Sequence, residues 1–280
     1  MIKLDNITYS YSRRSKNPAL IDITAEIGPG IHLLLGENGA GKTTLLHIIA
    51  GLRRPVPISG CTIDGIAPWL HLPSLTDRIC FVSDDLTFPL PTINEMERRH
   101  AVFFPNFSSE MLRRNLEVFG MTGNEPIDTF SLGNRKKAQL AYILALRPEV
   151  LLLDEPANGL DIEAKTTVLN LLAECIDGNQ TVILSTHTVQ DFAPLFDSVL
   201  VLSGGRLILN MSVWDITERL SFTINQYPPE GAFFMEQRLG RFAAILPRDP
   251  ENEPTDIDFV LLYKGLQSVS SRSAILNQLS

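Results

Sequence analysis

Gly36, Glu37, Asn38, Gly39, Ala40, Gly41, Lys42 and Thr43 follow the spacing G-x-x-x-x-G-K-[ST], which describes a cradle for the phosphates of a nucleotide. Glycines let the backbone bend until successive N–H groups point at one anion, and a helix start adds partial positive charge. In such a loop Lys42 reaches the β- and γ-phosphates, the Thr43 hydroxyl holds Mg2+, and Thr44 belongs to the same helix start. Further along, Asp154 and Glu155 follow the apolar run Val150-Leu151-Leu152-Leu153. Carboxylates at the C-terminal end of a buried strand sit where α/β sheets bind ligands. Asp154 suits a Mg2+ ligand beside Thr43, and Glu155 a base that polarises the attacking water. A purely structural acid pair would need explicit partners for two charges. His187 follows the next apolar run, Thr181 to Ser185. That places its imidazole at the same sheet edge, where it would contact the γ-phosphate and orient the water.

The elements that must position these groups are legible in the hydrophobic periodicity. Ile31 to Leu35 reads as a buried strand feeding the loop, and Leu45, Leu46, Ile48 and Ile49 recur at helical spacing before Gly51. The first thirty residues alternate apolar and polar, as short half-buried strands do. Cys61 to Ile63 is a further short strand between Ser59-Gly60 and Asp64-Gly65. Thr92-Ile93-Asn94-Glu95 is a capping-box pattern opening a helix expected to end near Pro105. Helices over Ser109 to Phe119 and Ser131 to Leu146 follow, closed by Gly120 and by Arg147-Pro148. Strands return at Val150–Leu153, Thr181–Ser185, Val199–Leu202 and Leu207–Leu209. A helix over Ile162 to Ile176 is capped by Asp161 and stopped by Gly178. Continuous apolar strands alternating with helices indicate an α/β chain with a mostly parallel sheet covered on both faces. Beyond about Met211 the pattern weakens to helices near Trp214–Leu220 and Ile257–Leu266 around a Pro-rich, acidic stretch.

The 280 residues suffice for one large domain and a small addition. A net charge of −8 argues against a nucleic-acid binder. Cys61, Cys80 and Cys175 are odd in number and lack C-x-x-C spacing, as reduced thiols of a cytosolic protein would be. No apolar run approaches the ~18 residues of a membrane span, and Met1 to Asn6 shows no signal-peptide core. Membrane association is therefore expected only through a partner.

Phe130-Ser131-Leu132-Gly133-Asn134-Arg135-Lys136-Lys137 opens a helix shortly before the Val150 strand. It resembles the LSGGQ signature of ATP-binding cassette (ABC) ATPases, and the chain resembles bacterial exporter-type nucleotide-binding subunits. On that resemblance Gly36 to Thr43 is the Walker A loop, Val150 to Glu155 the Walker B strand, Ala157 to Asp161 the D-loop and His187 the switch histidine. Tyr11 falls where the family stacks an aromatic on adenine; Tyr9 and a plain strand aromatic are the alternatives. The resemblance runs from about Ile2 to Leu209. It implies a P-loop NTPase fold of ABC type with an N-terminal antiparallel β-subdomain. Residues 1–210 would form the ATPase domain, about 86–147 its helical subdomain, and 211–280 a small C-terminal appendage. Ser131 and the N–H groups of Gly133 and Asn134 form another helix start suited to an anion. In the family it caps the γ-phosphate held by the partner's Walker A loop, so two ATP molecules are sandwiched in a head-to-tail dimer. The implied function is ATP hydrolysis with Mg2+, powering a separate transmembrane permease from the inner face of the cell membrane. A homodimer is expected over a heterodimer, and no nucleic acid.

Two departures stand out. Leu132 replaces the first glycine of the signature but leaves the hydroxyl and second glycine. Asp84 stands at the Q-loop position, where the family has glutamine reaching Mg2+ and the water. It would ligate Mg2+ directly, act through a water, or be an ordinary loop acid. With Glu155 and His187 intact, hydrolysis is expected to be retained. Phe88, Leu90, Ile93, Met96, Phe103, Phe104 and Phe107 form an apolar-rich stretch that packs the helical subdomain and, as in the family, offers a groove to a permease coupling helix. The Ser-Leu-Gly signature and compact appendage favour export over import. Competing readings are a soluble ABC-type ATPase acting on ribosomes or DNA and an ATP-gated regulatory module. Against the first, the chain has one cassette and no sustained heptads between Thr44 and Phe130; against the second, Glu155 is retained.

Overall fold

The alternating runs at the start pair as antiparallel strands β1 (Ile2–Tyr9) and β2 (Leu20–Ile27). Strand β3 (Gly30–Leu35) then crosses to the centre of the molecule and feeds helix α1 (Lys42–Ile49). β4 (Gly60–Ile63) returns to β1, giving a small sheet of order β2-β1-β4. The computed structural model describes residues 1–12, 17–55, 60–83 and 88–280.

After the single turn α2 (Pro73–Thr76) comes β5 (Ile79–Val82), an edge of the central sheet. A helical block follows: α3 (Ile93–Arg99), α4 (Ser109–Val118) and α5 (Leu132–Leu146). Side chains cap each start, because an N-cap oxygen satisfies an N–H that the helix leaves free. Thr92, Ser108 and Ser131 accept from the N–H groups of Glu95, Met111 and Asn134. The chain then alternates through β6 (Val150–Asp154), α6 (Ile162–Cys175), β7 (Thr181–Ser185), α7 (Val189–Phe192), β8 (Ser198–Ser203) and β9 (Arg206–Ser212). The central sheet has order β5-β6-β7-β3-β8-β9, parallel except for β9. The period of two in a strand decides which core each side chain joins. Leu34, Leu152, Ile183 and Leu200 face the small sheet and α1. Leu33, Leu35, Leu151, Leu153, Val182 and Leu184 face the helices on the other side.

The C-terminal segment holds α8 (Val213–Thr217), strands β10 (Leu220–Asn225), β11 (Phe234–Arg238) and β12 (Arg241–Pro247), and helices α9 (Phe259–Gln267) and α10 (Val269–Leu279). The strands form their own antiparallel sheet, β10-β12-β11. This corrects the expectation of a Pro-rich stretch between two helices. Their sequence signal is weak because Glu236 and Arg238 share a side of β11 with Phe234, and Ala243, Ala244 and Ile245 of β12 are buried in succession. Leu220 opens β10 and does not close α8.

Two other ends differ. The helix from Thr92 stops at Arg99, well before Pro105, and a 3-10 turn over Ala101–Phe103 leads to an extended Phe104. A residue just before proline is driven out of the helical region. Nor does Gly178 stop α6. The helix ends at Cys175 with Ile176 already extended, and a turn follows in which the Gln180 side chain accepts from the Asp177 N–H.

Candidate active site

The phosphate loop hangs between β3 and α1, and the sheet register brings its neighbours alongside. Leu34 and Asp154 both pair with Ser185, so the ends of β3, β6 and β7 lie level. Gly41 caps α1 with φ +104°, a left-handed conformation that side chains rarely adopt. A Cβ there would lie 2.7 Å from the Ala19 carbonyl oxygen and 2.6 Å from Leu20 Cδ2. The loop is thus pressed against the start of β2 at a point where only glycine fits. Lys42 folds back over it, its ammonium donating to the carbonyls of Gly36 (2.7 Å) and Glu37 (3.3 Å). Burial lowers the Lys42 pKa, while the carboxylates of Glu155, Asp154 and Glu37 oppose that shift.

The Thr43 hydroxyl donates to Asp154 Oδ2 at 2.6 Å, and Ser185 Oγ donates to Asp154 Oδ1 at 2.5 Å. Glu155 follows with φ +53°, unusual for a residue with a side chain. This backbone turn lets its N–H bond the Ser185 carbonyl while its side chain swings to the next loop. There Oε2 accepts from the His187 N–H at 3.2 Å, and Oε1 lies 3.3 Å from His187 Nε2. Oε1 is buried with no hydrogen-bond partner among the described residues. Desolvation raises the Glu155 pKa, opposed chiefly by the neighbouring His187 and Lys42. The His187 ring itself sits on the exposed rim.

Tyr11 reaches the loop from the first strand pair, its hydroxyl 2.7 Å from Thr44 Oγ1. Its ring is edge-on to Tyr9, and the Arg53 guanidinium sits 4.7 Å from its centroid. Arg53 also donates to the Tyr9 hydroxyl and to His47 Nδ1. Tyr11, Glu37, Asn38, Gly39, Gly41, Lys42, Thr43, Thr44, Asp154, Glu155 and His187 all line one cleft of about 410 Å³. Ala40 is buried beneath the loop, and Gly36 packs against Ala40 and Leu202.

Ser131, Gly133 and Asn134 do not line this cleft. The Asn134 N–H, expected to face an anion, is bonded to Ser131 Oγ at 3.2 Å. Asp84 lies outside the described residues.

Four contributors escape a reading by residue type. Ser185 clamps Asp154, and Arg53 backs Tyr11. Tyr263, on α9, has its phenol pKa raised by burial and by the charge of the nearby Glu37. Lys136 is 4% exposed and donates to the Asn158 carbonyl at 2.5 Å. Its i, i+4 spacing with Leu140 and Leu144 is the signal that places it on a buried stripe.

The sequence family described as ABC transporter matches residues 20–158. An ABC transporter ATP-binding protein from Methanothermobacter marburgensis is 33% identical over 271 residues, covering 91% of this chain and 93% of that protein. An energy-coupling factor transporter ATP-binding protein from Methanothermobacter thermautotrophicus is 32% identical, over 74% of this chain and 70% of its own. The fold is that of a solved ATP-binding subunit of an ABC transporter, with a TM-score of 0.68 at 24% identity, over 77% of this chain and 91% of that one. By its motifs, its fold and a relative that matches over nearly its whole length, the chain belongs to the family of ABC transporter ATP-binding proteins, which bind and hydrolyse ATP.

Proposed function

We propose that two copies of this chain close on ATP and that their closing moves a separate transmembrane permease at the inner face of the cell membrane. The observation that carries this reading is the separation of Ser131 from the cleft formed by the loop, Asp154, Glu155 and His187. A serine-led helix start set apart from its own phosphate loop suits a nucleotide held by a second, symmetry-related subunit. Among the described residues no helix is long and apolar enough to cross a membrane, so the pathway for cargo belongs to a partner.

Within each site, the Gly36–Thr44 backbone and Lys42 hold the phosphates and Tyr11 stacks on adenine. Thr43 and Asp154 offer a hydroxyl and a carboxylate side by side. Among the described residues no group of three His, Cys, Asp or Glu side chains forms a metal cage. Such a donor set fits Mg2+, which takes few protein oxygens and completes its shell with waters and phosphate oxygens. When bound, Mg2+ supplies positive charge against the phosphates. Asp84 joins this set on its place in the sequence. Glu155 accepts the proton of the attacking water at Oε1, which accepts no hydrogen bond among the described residues, and His187 holds that carboxylate toward the γ-phosphate.

The raised Glu155 pKa carries a sign. A base works only when deprotonated, so turnover falls as pH drops through that raised value. In a kcat–pH profile at saturating ATP, the acid limb is expected above the ordinary glutamate value of about 4.3. A limb at or below that value contradicts the desolvated base.

Beside the helical block, Phe88, Met96, His100, Phe104 and Tyr142 line a groove of about 490 Å³, with Val102 and Phe103 exposed nearby. We assign it to a coupling helix of the permease. Export is our reading of the direction, on the Ser131-Leu132-Gly133 signature and the compact C-terminal segment; the relative named for energy-coupling factor weighs on the other side. Purified from membranes in mild detergent, the chain is expected to bring one polytopic protein with it. Reconstituted together, the pair should move cargo away from the ATP-facing side. An ATPase that elutes without membrane partners, and is unchanged by its membranes, rejects the transport reading.

A further inference from the structure

Lys136 is a charged residue on a stripe where a leucine would fit. It sits on α5 with Leu140 and Leu144, all three buried, five residues beyond Ser131. A buried ammonium is costly unless its protons are taken up. Here Nζ donates to the Asn158 carbonyl at 2.5 Å. Asn158 is three residues from Glu155, and its own N–H closes a turn onto the Glu155 carbonyl at 3.1 Å. The same segment is held at its far end, where Asp161 caps α6 by accepting from the Ala164 N–H. Leu160 is buried, and a Cβ on Gly133 would stand 3.6 Å from its side chain. The chain from Glu155 to Asp161 is thus clasped against the first turns of the helix that Ser131 opens.

We propose that Lys136 is a positioning residue that ties the Ser131 helix to the backbone carrying Glu155, and so makes the two sites of a dimer fire together. The proposal rests on the dimer reading above. In that dimer the Ser131 helix tip meets the partner's nucleotide, whereas Glu155 serves its own. A charge-assisted bond between them is stiff and directional. When α5 moves onto the opposite nucleotide, Asn158 moves with it, and the turn it closes sets the Glu155 carboxylate. Each site reaches its hydrolytic geometry only when the other is engaged.

The test is steady-state hydrolysis as a function of ATP for Lys136→Met and Lys136→Gln. Losing a hydrogen bond to a charged donor is expected to lower kcat about tenfold in Lys136→Met. KM should stay within twofold, and the Hill coefficient for ATP should fall from above one to one. Lys136→Gln keeps an N–H donor on a shorter arm and is expected to recover part of both kcat and cooperativity. This variant also guards against a misfolded Lys136→Met. Wild-type kcat and cooperativity in Lys136→Met overturn the proposal, as does a lowered kcat with cooperativity intact, which marks a merely structural tie. Light scattering on Glu155→Gln with Mg·ATP separates the two failures. If that protein stays monomeric, the dimer reading fails; if it dimerises while Lys136→Met behaves as wild type, only the role of Lys136 fails.

Discussion

Glu155→Gln is expected to lower ATP turnover by about 10²–10⁴-fold, the usual worth of a general base, while ATP still binds. The geometry makes this substitution clean. Glutamine matches the carboxylate in shape and can still accept from the His187 N–H through its amide oxygen. What it removes is the proton acceptor at Oε1, a buried atom that accepts no hydrogen bond among the described residues. Binding depends on other groups, chiefly Lys42 and the loop N–H groups, so the variant should hold ATP without consuming it. The closed pair then accumulates, and light scattering or crosslinking with Mg·ATP should show a dimer that ADP does not support. Turnover within threefold of wild type would remove Glu155 from the role of base.

Gly41→Ala is the second large effect, and it acts through backbone. At φ +104° a side chain brings strain of about 1–3 kcal/mol. The added Cβ also meets the Ala19 carbonyl oxygen at 2.7 Å, and backbone at the start of a paired strand cannot step aside as a flexible side chain can. The loop must therefore shift, and its N–H groups no longer converge. With one or two charge-assisted hydrogen bonds lost, ATP affinity should drop by about 10–100-fold. The melting midpoint should fall by several degrees, at roughly 2–4 °C per kcal/mol for a chain of this size class. Gly39→Ala is the internal comparison, because Gly39 has φ +83° but nothing within 4 Å of the added atom. It carries the strain without the collision, so it should lose less. Equal losses in the two variants, read by calorimetry and nucleotide titration, would show that contact with Ala19 does not matter.

How much of this was legible in the residues depends on how strongly each segment repeats. Thr181–Ser185 matched its strand at both ends because an apolar run buried on both faces leaves no other solution. Ser131 and Asp161 mark helix starts in the sequence because a capping side chain is a local signal, independent of the rest of the fold. The strands β10 to β12 leave little trace because their residue types do not alternate: Glu236 and Arg238 share a side of β11 with Phe234, and Ala243, Ala244 and Ile245 of β12 are buried in succession. Lys136 is hidden by its type: nothing in a lysine between two basic neighbours announces that it lies on the buried stripe with Leu140 and Leu144. Arg53 and Tyr263 reach the site from elements that carry no motif. Such contacts are products of tertiary packing, which spacing alone does not encode.

Helix α9 extends that point beyond the nucleotide. Its Phe259, Leu261, Leu262 and Leu266 lie in the same apolar mass as the central strands, Gln267 accepts from Ser203 at the end of β8, and Tyr263 reaches the loop. A version of the chain shortened before this helix is expected to have a bare greasy flank and a looser grip around its fuel.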